Sequence, residues 1–305
     1  MGLKDIVIEA RALSKIYTNA AVLDHLDFKI NEGECFGFLG PTGAGKTTLI
    51  RILSCCTSLT SGNLFITGLN VREHQKNIKR QFGAISDCFS LDSDFSVLDN
   101  LITFGQLHGF SRARATEKSH QLLRLLQLED KYHWSVDRLS LYQGKLLQLA
   151  RALVPDPKLL YLDQPCERLE RADTLKFLEI IRTIKASGKT IVLATSSIHE
   201  VEMLCDRVAL LHHGKILYEG DPDVLVEKVI GHEVVEFYCA TDELDYYLAR
   251  LKERFHYQVC DNRVRVFMEV GQESRSVLSY VPSENLTIRR SHLGDVFLRT
   301  TGREL

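Results

Sequence analysis

The chain has 305 residues, of which 45% are hydrophobic and 26% are charged, and its formal net charge is −2. This length allows one large domain and a small one, and the near-neutral charge excludes a general attraction to nucleic acid or anionic lipid. No apolar run approaches the roughly 20 residues needed to cross a bilayer, and the N-terminal residues lack the apolar core of a signal peptide. The eight cysteines show no metal-ligand spacing, which favours reduced thiols in the cytoplasm.

Two apolar stretches near the start of the chain, residues 6–13 and 21–30, predict antiparallel strands. A further buried strand is predicted over residues 34–39, and a helix is predicted to begin near Thr48. Between this strand and this helix, a glycine-rich segment fits G-x-x-x-x-G-K-[ST] at every fixed position. The segment consists of Gly40, Pro41, Thr42, Gly43, Ala44, Gly45, Lys46, Thr47 and Thr48.

A strand, a glycine turn and a helix start in this order predict a phosphate-binding loop. Glycines allow successive backbone N–H groups to turn inward around an anion, and the helix N-terminus adds partial positive charge. Lys46 is then expected to reach the β- and γ-phosphates, and the Thr47 hydroxyl to contact Mg²⁺. The alternative is a glycine turn that only caps a helix, and the flanking strand and helix disfavour it.

The middle of the chain predicts a mixture of helices and parallel strands. A short strand is predicted over residues 64–69, and apolar residues spaced three and four apart predict helices between about 97 and 133. Two short apolar runs, residues 158–162 and 189–194, end in polar residues, as central parallel strands do. The first run is followed by Asp163, and a carboxylate at that end of a strand beside a phosphate loop can hold Mg²⁺.

A change in composition after residue 230 predicts two domains, residues 1–225 and residues 231–305. In the second domain, strands are predicted over residues 232–238, 257–260, 264–270 and 286–289, and helices over residues 242–255, 272–281 and 293–300. The order β-α-β-β-α-β predicts a ferredoxin-like module. A hairpin turn is expected at Asp261-Asn262.

These motifs resemble those of an ABC transporter ATP-binding subunit over residues 4 to about 225. The segment Leu139-Ser140, followed by residues 144–153, has the frame of that family's signature helix. The tail, residues 289–305, is similar to the ending of export-type subunits of drug-resistance and nodulation-factor exporters. The resemblance implies an α/β P-loop NTPase core with antiparallel β and helical subdomains, the helical one at about residues 88–150, and a small C-terminal α+β domain.

The resemblance also implies ATP and Mg²⁺ as cofactors. Thr47, Asp163 and Asp87 are the expected metal contacts, and the phosphate-loop residues are expected to bind the nucleotide. Tyr17 stands where the family stacks an aromatic ring on adenine; alternatively it is a half-buried strand tyrosine. Ser140 is expected to contact the nucleotide of a second subunit.

Several positions depart from the family pattern, and each departure concerns the γ-phosphate or its attacking water. Leu141 and Tyr142 replace the two glycines of the Leu-Ser-Gly-Gly-Gln signature, which let the backbone approach a phosphate held by the other subunit. Gln164 replaces the glutamate that polarises the attacking water, and an amide cannot act as a base. Asp163, Gln164 and Ser196 are therefore the candidate catalytic residues.

Three further departures concern loops around the site. Ser196 stands at the position of the family's switch histidine, and His199 is expected on the surface of the next helix rather than as its substitute. Asp87 replaces the glutamine of the hinge loop, and Glu170 replaces the aspartate of the inter-subunit loop. The alternative interpretation is ordinary sequence divergence that leaves activity intact. Neutral substitutions, however, would not be concentrated at positions that face the γ-phosphate or its attacking water.

The sequence leaves two main hypotheses for function. The first is an ATP-binding subunit that powers export of a small or lipidic molecule through a separate integral-membrane permease, with impaired hydrolysis. It would be cytoplasmic, peripheral on the inner face of the membrane, and a homodimer through its ATP sites. The second is a nucleotide-binding pseudo-ATPase with a regulatory or structural role in a transporter complex. A nucleic-acid-directed ABC protein is disfavoured by the absence of a basic patch.

The permease is expected to dock against residues 86–105. Four apolar side chains in that segment are then expected to be partly exposed, or alternatively to form the core of the helical subdomain. These side chains are Phe89, Leu91, Phe95 and Leu98.

Overall fold

The structure is a computed structural model that describes residues 5–18, 20–87, 90–260, 262–268, 271–281 and 285–304. The chain divides into two compact units, Met1–Leu217 and Tyr218–Leu305. The domain limits predicted from composition, at residues 225 and 231, stay predictions. Throughout the described ranges, every helix is too short or too polar to span a lipid bilayer.

Up to Gly220, the chain alternates between short strands and helices. The strands are β1 (Ile6–Tyr17), β2 (Ala20–Asn31), β3 (Cys35–Leu39), β4 (Ser61–Ile66), β5 (Leu69–Asn70), β6 (Phe82–Ile85), β7 (Leu159–Asp163), β8 (Thr190–Thr195), β9 (Arg207–His212) and β10 (Lys215–Gly220). The helices are α1 (Lys46–Leu53), α2 (Gln75–Lys79), α3 (Val97–Leu107), α4 (Arg112–Leu125), α5 (Leu141–Leu153), α6 (Arg171–Ala186) and α7 (Ile198–Leu204). The strands predicted from apolar runs are all present.

Two sheets form this part of the chain. One has the order β2-β1-β4-β5, in which β1 pairs antiparallel with both β2 and β4. The other has the order β10-β9-β3-β8-β7-β6, and its pairs from β9 to β6 are parallel. Every residue of β3 and β8 is buried, which explains why these strands are continuous apolar runs rather than alternating ones.

The parallel sheet positions the candidate site. Strands β3, β8 and β7 are neighbours, and the carboxyl ends of parallel strands lie at the same edge of a sheet. The segment from Gly40 to Gly45 follows β3, Ser196 follows β8, and Asp163 ends β7. The sheet order therefore brings together residues that are far apart in the sequence.

The helices between β6 and β7 pack in an apolar cluster that also includes side chains of the parallel sheet and of α6. Leu101 of α3, Leu123 of α4 and Leu147 of α5 are fully buried in it. Serine hydroxyls cap three of the helices by accepting backbone N–H bonds: Ser96 for α3, Ser111 for α4 and Ser140 for α5. Side-chain caps of this kind satisfy N–H groups that have no partner inside the helix.

The second unit is an antiparallel sheet with helices. Its elements are α8 (Pro222–Val229), β11 (Glu233–Tyr238), α9 (Thr241–Leu251), β12 (His256–Cys260), β13 (Arg263–Phe267), β14 (Leu286–Arg290) and α10 (Leu293–Thr301). The strand order is β12-β13-β11-β14. The predicted hairpin joins β12 to β13, although Asp261 of its turn lies outside the described residues. The ferredoxin-like assignment stays a prediction.

The helix predicted over residues 272–281 is wrong. Among the described residues of that segment, only Ser274–Ser276 form a helical turn, of the 3₁₀ type. The Ser276 hydroxyl donates to the carbonyl of Glu273 at 2.7 Å, a local bond that competes with helix formation. Arg250 of α9 donates to the carbonyl of Ser279 at 2.6 Å, so tertiary contacts take up a carbonyl of the same segment.

Candidate nucleotide-binding site

The phosphate loop, residues 40–47, has the backbone that its sequence predicts. Gly43 and Gly45 have φ values of +83° and +107°, in the region that favours glycine. At Gly40 the restriction is space, because an added Cβ would lie 2.1 Å from the carbonyl oxygen of Leu211. Thr42 and Gly43 are exposed, whereas Ala44, Gly45 and Lys46 are buried. The middle of the loop is therefore exposed to solvent, whereas its end, where α1 begins, is buried.

Lys46 anchors the loop from inside. Its side chain is 3% exposed, and its Nζ donates to the carbonyl oxygens of Gly40 at 2.7 Å and Pro41 at 2.9 Å. Burial lowers the pKa of Lys46, and the nearby Asp163 carboxylate opposes that shift. An ammonium group held on loop carbonyls lies where it can exchange them for phosphate oxygens.

The expected metal contacts Thr47 and Asp163 lie next to each other, and we call this the metal side of the site. The Thr47 hydroxyl donates to Asp163 Oδ1 at 3.3 Å. Burial raises the pKa of Asp163 to about 6, and the Asp87 carboxylate adds to the increase. A hydroxyl and a carboxylate beside a phosphate loop fit Mg²⁺, which takes few protein ligands and completes its shell with water and phosphate. In the described part of the chain, no group of three or more His, Cys, Asp or Glu could hold a metal alone.

Asp87, the third predicted metal contact, is engaged elsewhere. Both of its carboxylate oxygens accept hydrogen bonds from the guanidinium of Arg51 in α1. The Arg51–Asp87 pair was not predicted, because nothing local in the sequence links a helix of the phosphate loop to the end of β6. Asp87 is therefore paired with a cation in this structure rather than turned only to the expected metal.

A cavity of about 330 Å³ lies on the metal side of the site; we call it the site cavity. Its lining consists of Thr47, Ile85, Ser86, Asp87, Ser90, Lys145, Gln148, Asp163, Gln164 and Glu167. It collects the three predicted metal contacts and Gln164 around one space. A larger cavity, about 470 Å³, lies at the other end of the parallel strands, near Leu159 and Thr190, and includes none of the phosphate-loop residues.

Gln164 occupies a strained position at the edge of β7. Its φ is +45°, which is uncommon for a residue with a side chain. Its N–H donates to the carbonyl of Ala194 in β8 at 2.8 Å, and its carbonyl accepts from Lys145 Nζ at 3.4 Å. The main chain of Gln164 is therefore fixed from β8 and from α5, and the residue is part of the lining of the site cavity.

The switch position carries no imidazole. Ser196 is exposed, and His199 lies on the first turn of α7, the helix on which the sequence predicts it. The sequence did not predict a role for the adjacent Glu200, which is only 5% exposed. Burial raises the pKa of Glu200, and Thr195 and Cys166 hydrogen-bond to its side chain. Its Oε2 has no hydrogen-bond partner among the described residues. No pattern in the sequence distinguishes this carboxylate from a surface one.

Residues 139–143, at the start of the signature helix, do not line the site cavity. Ser140 accepts from the N–H of Gln143 at 3.2 Å, and the Gln143 side chain accepts from the N–H of Ser140 at 3.0 Å, which is a capping box. Leu141 is 47% exposed, whereas Tyr142 is half-buried, with the Lys176 ammonium 5.9 Å from its ring centre. The two residues that replace glycines thus differ, and Leu141 is the more exposed of them.

The remaining predicted residues lie around the periphery. Tyr17, at the end of β1, is 40% exposed, with Lys15 Nζ 4.7 Å from its ring centre, so its ring is accessible for stacking. Glu170 is the residue before α6, and its side chain makes no capping hydrogen bond. In the expected docking segment, Phe95 is 39% exposed, whereas Leu91 and Leu98 are half-buried against the helical cluster. Phe89 lies outside the described residues.

Comparisons with known proteins agree with this geometry. The ABC transporter family model matches residues 23–167. The Nod factor export ATP-binding protein I of Neorhizobium galegae is 37% identical over 302 residues, which are 98% of this chain and 86% of the relative. Its counterpart in Rhizobium meliloti is 34% identical, covering 100% of this chain and 90% of the relative. The chain belongs to the ABC transporter ATP-binding family.

Solved structures support the same fold. An ATP-binding subunit of an ABC transporter is 26% identical with a TM-score of 0.65, over 72% of this chain and 91% of that one. A dimeric bacterial ABC transporter cassette is 23% identical with a TM-score of 0.65, over 70% of this chain and 98% of that one. The predicted family and the predicted α/β P-loop NTPase fold are both confirmed.

Proposed function

We propose that this protein binds ATP·Mg²⁺ and powers export of a small or lipidic molecule through a separate integral-membrane permease, with impaired hydrolysis. It would act as a homodimer on the cytoplasmic face of the membrane, with residues 231–305 as an accessory domain. The names of the relatives support export. The observation that carries nucleotide binding is Lys46, held inside the phosphate loop next to the Thr47–Asp163 pair.

Binding relies on groups that the chain retains. The loop backbone supplies N–H groups at the start of α1, and the helix dipole favours an anion there. Lys46 would exchange its two carbonyl partners for phosphate oxygens. When Mg²⁺ is bound, it neutralises phosphate charge, and Thr47 and Asp163 are the groups that would hold it. Tyr17 offers an exposed ring for the adenine.

Hydrolysis relies on groups that the chain has changed. Gln164 can orient water but cannot take its proton, and loss of a general base costs about 10²–10⁴ in rate. Ser196 provides no imidazole, and exposed Leu141 adds bulk where a glycine would allow close approach. In a homodimer each site would take Gln164 and Ser196 from one subunit and Leu141 from the other. Both sites would therefore be impaired.

The pseudo-ATPase with a regulatory role is the second candidate. It is favoured by two observations on side chains that would otherwise face the nucleotide. The Ser140 hydroxyl is engaged in the cap of α5, and the Asp87 carboxylate is engaged by Arg51. If neither contact is released when nucleotide binds, the chain would hold ATP without a productive closed state.

The test is to measure ATP affinity and phosphate release on the full chain with Mg²⁺. We expect binding below millimolar concentration, turnover well below about 1 s⁻¹, and loss of binding in Lys46→Ala. Lys76→Ala, which removes an exposed lysine of α2, is the matched control and should bind like the wild type. Turnover near 1 s⁻¹ or above would refute impaired hydrolysis. Absence of binding at millimolar ATP would refute the proposed function itself.

A further inference from the structure

The site cavity contains three carboxylates, and two of them have partners. Asp163 accepts from Thr47, and Asp87 is paired with Arg51. The third, Glu167, makes no hydrogen bond or ion pair through its side chain within the described residues. It is thus the cavity carboxylate that is available for a further role.

The loop after β7 brings Glu167 back toward Gln164. The N–H of Glu167 donates to the carbonyl of Gln164 at 3.1 Å, which closes a four-residue turn. The first residue of this turn and the residue after it both have positive φ: +45° at Gln164 and +67° at Arg168. Positive φ at residues with side chains is costly and is concentrated at functional sites. This backbone places Glu167 in the lining of the same cavity as Gln164.

The cavity has two further features of a ligand site. Ser86 is one of its lining residues and is 8% exposed, and its buried hydroxyl has no hydrogen-bond partner in the described parts of the chain. A buried hydroxyl without a partner is rare and calls for an explanation such as a bound water or ligand. The second feature is Lys145, which supplies a cation to the lining. Burial lowers the pKa of Lys145, and among the nearby charges the Glu167 carboxylate opposes this shift most.

The other groups around the cavity are unsuited to accept a proton from water. Gln148 and Gln164 are amides, Lys145 is a cation, and Asp163 is the expected metal contact. Glu200 is buried and does not line the cavity. Glu167 is therefore the lining carboxylate that has no hydrogen bond or ion pair through its side chain among the described residues.

We propose that Glu167 is the general base for the slow ATP hydrolysis of this protein, replacing the glutamate lost at position 164. The oxygen of the attacking water bonds to the γ-phosphorus, and a proton of that water passes to the Glu167 carboxylate. The bond from the γ-phosphorus to the bridging oxygen breaks, and its electron pair leaves with ADP. The proton then passes from Glu167 to solvent, so the products are ADP, phosphate and H⁺. Gln164 orients the water. This role rests on the proposed function.

The test compares phosphate release and ATP affinity in the full-length protein with Mg²⁺. Glu167→Gln keeps the size of an exposed side chain and should lower the rate by about 10²-fold or more, with ATP affinity unchanged. Glu167→Asp should recover part of the rate. The matched control is Glu179→Gln, an exposed carboxylate of α6 outside the cavity, which should keep the wild-type rate.

A second background separates chemistry from structure. Gln164→Glu restores the family base, so the rate should rise, and Glu167→Gln in that background should lose much of its effect because the two bases are alternatives. Equal losses in both backgrounds would overturn the proposal, as would an unchanged rate in Glu167→Gln or a wild-type protein that binds ATP but releases no phosphate. Failure to bind ATP at all would instead refute the proposed function.

Discussion

The three glycines of the phosphate loop should differ in what an added methyl group costs. Gly43 has a φ of +83°, but a Cβ added there would meet no other atom within 4 Å, so Gly43→Ala should lose about 1–2 kcal/mol through backbone conformation alone. Gly40 has an ordinary backbone, but its Cβ would lie 2.1 Å from the Leu211 carbonyl oxygen. Gly40→Ala should therefore lose about 1–3 kcal/mol or more through overpacking.

Gly45 combines both restrictions. Its φ is +107°, and its Cβ would lie 2.6 Å from Leu23 Cδ2 and 2.8 Å from the Val22 carbonyl oxygen. The two costs together amount to about 2–5 kcal/mol for Gly45→Ala. Because the Leu23 methyl can rotate away, whereas the Val22 carbonyl belongs to β2, we expect most of the overlap cost to persist.

The assay is urea unfolding without nucleotide, followed by tryptophan fluorescence. Trp134 is the single tryptophan of the chain and belongs to the first unit, so its signal reports the unit that contains the loop. The free energy of unfolding should decrease least for Gly43→Ala and most for Gly45→Ala. Equal losses of unfolding free energy in these two variants would show that close approach to Leu23 and Val22 adds no cost, which would contradict the prediction.

Two further predictions concern buried carboxylates. Burial raises the pKa of Asp163 from 3.8 to about 6, so the folded state binds its proton more tightly, and stability should fall by up to about 3 kcal/mol as pH rises from about 4 to about 6. Asp163→Asn should remove this slope in urea unfolding followed by Trp134 fluorescence; an unchanged slope would assign it to other groups. In the second unit, Asp295 is 1% exposed and accepts two bonds of 2.7 Å from Arg289. Asp295→Asn should lower the free energy of unfolding of this unit by about 3 kcal/mol. The loss should appear as faster amide hydrogen exchange in β14, and an unchanged exchange rate would contradict the prediction.

Much of the fold follows from local patterns. The β3–loop–α1 segment was predictable because each part has its own signal: a continuous apolar run, glycines at fixed spacing, and a helix start. The helix predicted over residues 272–281 was wrong because its apolar spacing competes with the Ser276–Glu273 bond and with Arg250, which belongs to another element. Propensity is a weak guide where tertiary contacts bind the backbone.

The sequence predicted residues for the candidate site, and their roles stay predictions, but it did not predict the contacts between them. The motif identifies Lys46, Thr47 and Asp163, since their roles depend on residue type and spacing. The Arg51–Asp87 pair and the buried Glu200 depend on which strands become neighbours, and one sequence does not reveal that order. The sequence also did not predict a role for Glu167. Its position depends on positive φ values at Gln164 and Arg168, and neither glutamine nor arginine is a residue type that predicts a positive φ.

The two halves of the site depend on different parts of the polypeptide, and this explains how one can persist while the other changes. Under the proposed function, the phosphate would be held largely by backbone N–H groups and a helix dipole, which require only glycines and the fold. Hydrolysis requires particular side-chain atoms aimed at one water and one phosphate oxygen. Under the proposed function, glutamine instead of glutamate at position 164 would remove a proton acceptor while leaving the glycines of the phosphate loop unchanged. Since Glu167 lies in the same cavity, a second carboxylate can take up the lost role without any change in the fold.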